Sequence, residues 1–360
     1  MNERERLIAS LVLEPVDRVP VVSHLQTATV DLMDATGCYW PEANRNAKQM
    51  LTLAMAANKV AGLESVKVPF DVALDPTAFG VQTGNEALDR PPSVMRTIIS
   101  SIDDVDRLQV PNPHRDGRPP VVLEALRILD DMQLTIPIFG GVIAPFMLAG
   151  QMRGEEKAIM DVMLDPELMK GLLDKCAEWG AIYAAAQVDA GADVIALIDA
   201  TASGTILSPE QYKEFALPFQ RRVVNAIHAK GAPVILHICG DTATNFDLMM
   251  STGADGISVD QSMDMRWVKE RTAGRCAAVG NVSPTTTLLF GSPEDVTRSC
   301  RDIIAAGTDV LAPGCGFAPR TPLANMKAMT DPAARADPDH TAKLVGPPRR
   351  IGAPSLNKWG

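Results

Sequence analysis

Short apolar runs of strand character recur along the chain, and longer stretches between them return apolar residues every three or four positions. The strand-like runs are VPVV (19–22), SVKV (65–68), PIFGG (137–141), DVIALID (193–199), PVILHIC (233–239), GISV (256–259), AAVG (277–280) and DVLAP (309–313). The clearest helical periods cover 166–191, 208–231 and 292–307. The last two open with Ser-Pro, an N-cap followed by a proline that costs no hydrogen bond at the first helical position. All three close on Gly, which suits the left-handed C-terminal position, and run into DAGADVI, AKGAPVI and AAGTDVL. These helix–Gly–strand joints belong to a βα repeat.

Eight strand-like runs alternating with helices predict an α/β protein with a (β/α)8 TIM barrel. An open, doubly wound sheet is the competing architecture. It would carry a glycine-rich phosphate turn after the first strand, and VPVV runs instead into SHLQTA. Residues 71–121 exceed what one βα unit needs, and TGNEALDRPPSV predicts an inserted arm or hairpin there. Residues 331–360 are rich in Pro, Arg and Asp without periodicity, and predict a flexible C-terminal tail after a single barrel domain over 1–330.

The 360 residues are 46% hydrophobic, enough for one large core. A net charge of −10 argues against a nucleic-acid partner, which would need a basic surface. No run approaches the 18 apolar residues of a membrane span, and MNERERLIAS has no apolar signal core. The expected compartment is the cytoplasm. There the six cysteines are core residues, metal ligands or reactive thiols rather than a disulfide frame.

In a barrel, the C-terminal ends of the strands and the loops after them form the working face. His237 and Cys239 end the fifth run two residues apart, so both leave the same side of the strand. Cys315 follows the eighth run between Gly314 and Gly316. One His and two Cys converging at the mouth would make a zinc site with one position open. His-x-Cys alone reads better as core, and only with Cys315 does the metal reading draw level with it. Asp199, Asp260 and Asn281 end the fourth, sixth and seventh runs and are candidates for ordering the site, Asp260 also for filling its open position. His24, after the first run, and Arg320, after the last, are candidates for binding substrate. Cys38, Cys176, Cys276 and Cys300 read as structural, His228 as a helix-end residue, and His114 and His340 as loop and tail residues.

These stretches, with RERL, DRVPVV, ATVDLMDATGCYWPEA, VKVPFD, FGGVIAPFMLAGQMRGEE, VILHICGD and LAPGCGFAPRTPLANMKAM, carry a resemblance. The chain resembles the uroporphyrinogen decarboxylase superfamily, and within it the cobalamin-dependent methyltransferase branch that includes the methylcobalamin:coenzyme M enzymes. The decarboxylases carry an arginine-rich segment near the first strand, where this chain reads VVSHLQTATVDL. Many members hold Gly-His-Gly where Gly314-Cys315-Gly316 stands. The resemblance implies the barrel fold and zinc on His237, Cys239 and Cys315. It also implies transfer of a methyl group from methyl-Co(III) to a zinc-activated thiol, coenzyme M foremost. The chain has no Asp-x-His-x-x-Gly for a corrinoid, so the methylcobalamin is expected on a separate corrinoid-binding partner. The branch commonly has His at Asn44 and Glu at Asp75, a departure that bears on the acceptor. Another acceptor (tetrahydrofolate or a different thiol), demethylation of a donor onto the corrinoid, a uroporphyrinogen-type decarboxylase, and a non-catalytic barrel remain as alternatives. The oligomeric state stays open, a homo-oligomer included.

Overall fold

The computed structural model describes residues 1–331. The expected tail over 331–360 lies outside the described residues apart from Asp331. Six strands form one parallel sheet: β1 (Val66–Lys67), β4 (Ile138–Ile143), β5 (Val194–Ile198), β6 (Val234–Ile238), β7 (Gly256–Val259) and β8 (Ala277–Val279), each beside the next. β2 (Gln82–Gly84) and β3 (Ser93–Arg96) form a separate antiparallel hairpin, the arm expected within 71–121.

The first and last predicted runs complete the ring through isolated parallel bridges, Val21 with Leu311 and Val279 with Val310. The Val22 and Leu311 amides donate to Leu311 and Pro20 carbonyls, both at 3.0 Å, and Glu64 N–H donates to Val21 O at 2.9 Å. These two staves fall short of regular strands for a covalent reason. Pro20 and Pro313 have no N–H to give to a ladder. Proline also shortens the second stave, which stops before Pro69.

Inward positions on the staves form a small inner core of Val22, Phe139, Val194, Ile235, Ala277, Val279, Val310 and Ala312. The bottom of that core is plugged by the helix Glu3–Leu11, through Leu7 and Leu11. Its start is fixed by a capping box: Asn2 Oδ1 accepts from Glu5 N–H at 2.9 Å, and Glu5 Oε2 accepts from Asn2 N–H at 3.0 Å. Sequence reading assigned this segment no role, because a short charged helix shows little apolar period.

The helix–strand joints do specific work. Asp193, Asp255 and Asp309 stand at stave bottoms, and each accepts an N–H from the first or second residue of a neighbouring stave, at Ile138, Val234 and Ala278, all at 2.8 Å. The long helix Pro166–Asp189 and the helix Pro293–Ala305 lie where predicted. The period over 208–231 is two helices, Pro209–Phe215 and Leu217–Ala229, meeting at Ala216. Pro218 accounts for the break: it cannot donate back to Glu214.

Candidate metal centre

His237 and Ser258 are register partners on β6 and β7, so both side chains point to the same, inner face. Ser258 Oγ lies 2.9 Å from His237 Nδ1 and 2.9 Å from His24 Nε2. One hydroxyl thus joins two buried imidazoles whose ring centroids are 5.9 Å apart. With Nδ1 held by Ser258, the other nitrogen of His237 turns to the sulfurs. Nε2 is 3.1 Å from Cys239 Sγ, and Cys239 Sγ is 3.6 Å from Cys315 Sγ. One ligand atom from each of the three falls within 4.8 Å of the others.

Cys315 reaches this point because its backbone lies tight between two loops. A Cβ on Gly314 would meet Gln261 N at 2.7 Å, and one on Gly316 would meet Gln26 Cβ at 2.7 Å. Phe317 N–H donates to Gln26 O and Gln26 Nε2 donates to Phe317 O, both at 2.9 Å, which ties the loop carrying Cys315 to the loop after the first stave. The two thiols share their proton unequally. Cys315 is held low by the hydrogen bond from Cys239, against burial, with His237 adding to the effect. Cys239 is pushed up by that same bond and by burial, with the charges of Cys315 and Asp260 adding. His24 is kept neutral by burial first, then by His237 and Lys67.

The donor chemistry fits zinc. Two sulfurs, one already biased toward thiolate, and an imidazole nitrogen with its other nitrogen hydrogen-bonded match the usual ligands and their supporting contacts. Both cysteines are half-buried, which leaves the cluster open on one side, and His237 is buried beneath them.

The other expected site residues divide. Asp260 Oδ1 accepts from Ser262 N–H at 2.8 Å, beside the thiols. Asn281 Nδ2 donates to the carbonyls of Asp260 and Met263, at 3.0 and 2.7 Å, and so fixes the loop carrying Asp260. Asp199 is fully buried, but its carboxylate is committed to Met147 N–H at 3.0 Å and Gln220 Nε2 at 2.7 Å on the helix layer. Burial pushes its pKa up to about 7. Arg320 is a surface residue, 70% exposed, paired with Asp89 of the arm at 2.7 Å. Asp75 is buried, accepts from Trp179 Nε1 and Ile143 N–H, and is pushed up to about 7 by burial. Asn44 is buried with neither side-chain amide atom partnered. Sequence reading missed Ser258. Its signal was a lone polar residue in the apolar run GISV, facing inward beside a histidine.

The uroporphyrinogen decarboxylase (URO-D) family pattern matches residues 2–336. The chain belongs to this family. Among its curated relatives, the methylcobamide:CoM methyltransferase MtbA of Methanosarcina acetivorans is 38% identical over 329 residues, 91% of this chain and 96% of that one. A uroporphyrinogen decarboxylase of Geobacter metallireducens is 27% identical, over 88% of this chain and 94% of its own. A solved structure, a methyltransferase from Methanosarcina mazei, superposes with a TM-score of 0.88 at 35% identity, covering 93% of this chain and 98% of that one. That likeness agrees with the TIM-barrel reading. No helix among the described residues is long and apolar enough to cross a membrane.

Proposed function

We propose that this protein is a zinc methyltransferase that moves a methyl group from a methylated corrinoid, brought by a partner protein, to a small thiol, coenzyme M first among them. The observation that carries the reading is the convergence of His237, Cys239 and Cys315 at one point on the mouth of the barrel. Its support from relatives is the 38% identity to an enzyme named for methyl transfer from methylcobamide to CoM, against 27% to a decarboxylase.

Each residue has a definite task. His237, Cys239 and Cys315 would hold the metal. Zinc bound there supplies the Lewis acidity that keeps a thiol ionised at neutral pH, since free thiols of pKa near 8.5 are mostly protonated. Ser258 holds Nδ1 of His237, leaving Nε2 toward the sulfurs; with Nε2 free to bind a metal, Nδ1–H would donate to Ser258 Oγ and the Ser258 hydroxyl to His24 Nε2. His24, neutral and buried, closes that chain without adding a positive charge beside the site. Asn281 holds the loop that places Asp260 near the thiols. In the overall transfer, the acceptor gives up its S–H proton and a C–S bond forms. The carbon–cobalt bond breaks with its electron pair left on cobalt, so Co(III) becomes Co(I).

The test is spectroscopic. Methylcobalamin and enzyme are mixed with coenzyme M, homocysteine or tetrahydrofolate in turn. The expected result is cob(I)alamin formation with coenzyme M. Its formation with neither thiol contradicts the reading.

A further inference from the structure

Arg320 was one candidate cation for the acceptor, and its guanidinium is spent on Asp89 at the surface. A different cation stands inside the barrel. Lys67 is 3% exposed, and its register partner on the next stave is Phe139, an inner-core residue, so the lysine too points inward. A Cβ added to Gly141 would come to 3.0 Å from Lys67 Nζ. Two residues beyond Phe139, Gly141 shares its inner face, and its missing side chain is what lets the Lys67 ammonium lie across that stave. His24 links this place to the metal centre: its ring is 5.9 Å from that of His237 and 6.4 Å from that of Phe139, the register partner of Lys67.

This ammonium has no direct counter-ion. It donates to the Pro69 carbonyl, and it forms no ion pair among the described residues. The two nearby acids are engaged elsewhere. Asp71 takes both terminal nitrogens of Arg118 at 2.8 and 2.9 Å, and Asp75 accepts from Trp179 and Ile143. The half-buried Arg118 thus takes up one carboxylate, and burial favours the neutral form of the other, which leaves the buried Lys67 without a direct anionic partner. A buried charge without a partner is costly, and a ligand anion would relieve that cost.

We infer that Lys67 receives the anionic end of the acceptor. The acceptor is then a short thiol bearing a sulfonate or carboxylate a few bonds from its sulfur, with its sulfur at the His237–Cys239–Cys315 cluster and its anionic end turned into the barrel toward Lys67. This inference rests on the proposed thiol methyltransferase reading and narrows its substrate class.

Titration calorimetry on the full chain tests it, with 2-mercaptoethanesulfonate, 3-mercaptopropionate, uncharged 2-mercaptoethanol, and ethanesulfonate, which has no thiol. Wild type is expected to bind the anionic thiols at least about tenfold more tightly than 2-mercaptoethanol. The two anionic thiols compared with each other separate sulfonate from carboxylate. Lys67→Met is expected to weaken the anionic thiols by about 30-fold or more, and 2-mercaptoethanol by less than about threefold. It is expected to abolish ethanesulfonate binding while keeping the metal content of wild type, and Lys67→Arg to recover part of the loss. Equal weakening of all thiols in Lys67→Met overturns the inference. So does a wild type that binds charged and neutral thiols alike, a result that stands even if the variant fails to fold. Methyl transfer to 2-mercaptoethanol as efficient as to its sulfonate analogue would leave the methyltransferase reading intact and remove the role of Lys67. Ethanesulfonate binding that depends on Lys67, with no thiol methylated, would do the reverse.

Discussion

At Ser258 one hydroxyl meets two imidazoles, and a single hydroxyl proton can serve only one of them. If His237 Nε2 is to offer a lone pair to a metal, Nδ1 carries the proton and Ser258 must donate onward to His24. Ser258→Ala breaks this chain while leaving His237, Cys239 and Cys315, the three proposed ligands, in place. The expected loss is about 10- to 100-fold in zinc affinity, read by competition with a chelator. Unchanged affinity would mean that stave packing alone orients the imidazole. Cys239→Ala and Cys315→Ala should be more severe, purifying with less than stoichiometric zinc. At this scale the sequence was legible where chemistry is unusual for its setting, as with a histidine and a thiol closing an apolar strand. It was not legible where an ordinary residue gains its role from a neighbour in space. Ser258 lies 21 positions from His237, and nothing local in GISV announces the contact. Lys67 was hidden in the same way, since a lysine in SVKV reads as the solvent side of a strand until the ring closes around it.

Among the elements, the Gly-x-Asp joints turned out to carry more than a turn. Asp309 sits nearly buried beneath the last stave, accepts the Ala278 N–H, and pairs with Lys269 on the neighbouring helix. Asp309→Ala leaves a buried amide and an ammonium without this acceptor. The expected cost is about 2–4 kcal/mol of stability in urea unfolding, with Asp309→Asn losing less. A change below about 0.5 kcal/mol would show that water replaces the carboxylate there. The repeat DAGADVI and AAGTDVL marked where helix hands over to strand, but the side-chain bond to the adjacent stave needs the third dimension. Proline explains the misread boundaries. Pro218 splits one periodic stretch into two helices, and Pro20 and Pro313 leave the first and last staves joined to their neighbours by isolated bridges although the apolar runs continue through them.

For the molecule as a whole, the buried acids set the pH dependence of stability. Asp75 and Asp199 are raised to about 7 and Asp193 to about 6, all chiefly by burial, from an ordinary 3.8. Between about pH 4 and 7 the native state therefore holds more protons than the unfolded chain, and stability falls as pH rises through that window. Asp17, held low by its hydrogen bond to Arg6, acts in the opposite sense below it, weakly because it is half exposed. Asp199→Asn, whose side chain faces the helix layer, should flatten the decline between pH 4 and 7 in denaturant titrations. An unchanged slope would mean that Asp199 stays ionised in its pocket. The barrel itself was readable because eight runs and their joints all agree, and the inserted hairpin because its turn-rich composition breaks the pattern. The helix Glu3–Leu11 that plugs the base was not, since a nine-residue charged segment gains its helix from a capping box and from Leu7 and Leu11 meeting a core built by distant staves.

The central claim is that His237, Cys239 and Cys315 present zinc to a thiol acceptor. X-ray absorption at the zinc edge, without and with 2-mercaptoethanesulfonate, addresses it directly. The account predicts one equivalent of zinc with two sulfurs and a histidine nitrogen at rest, and a third sulfur when the thiol is added. A folded protein without zinc, or a zinc site that keeps two sulfurs in saturating thiol, would contradict it.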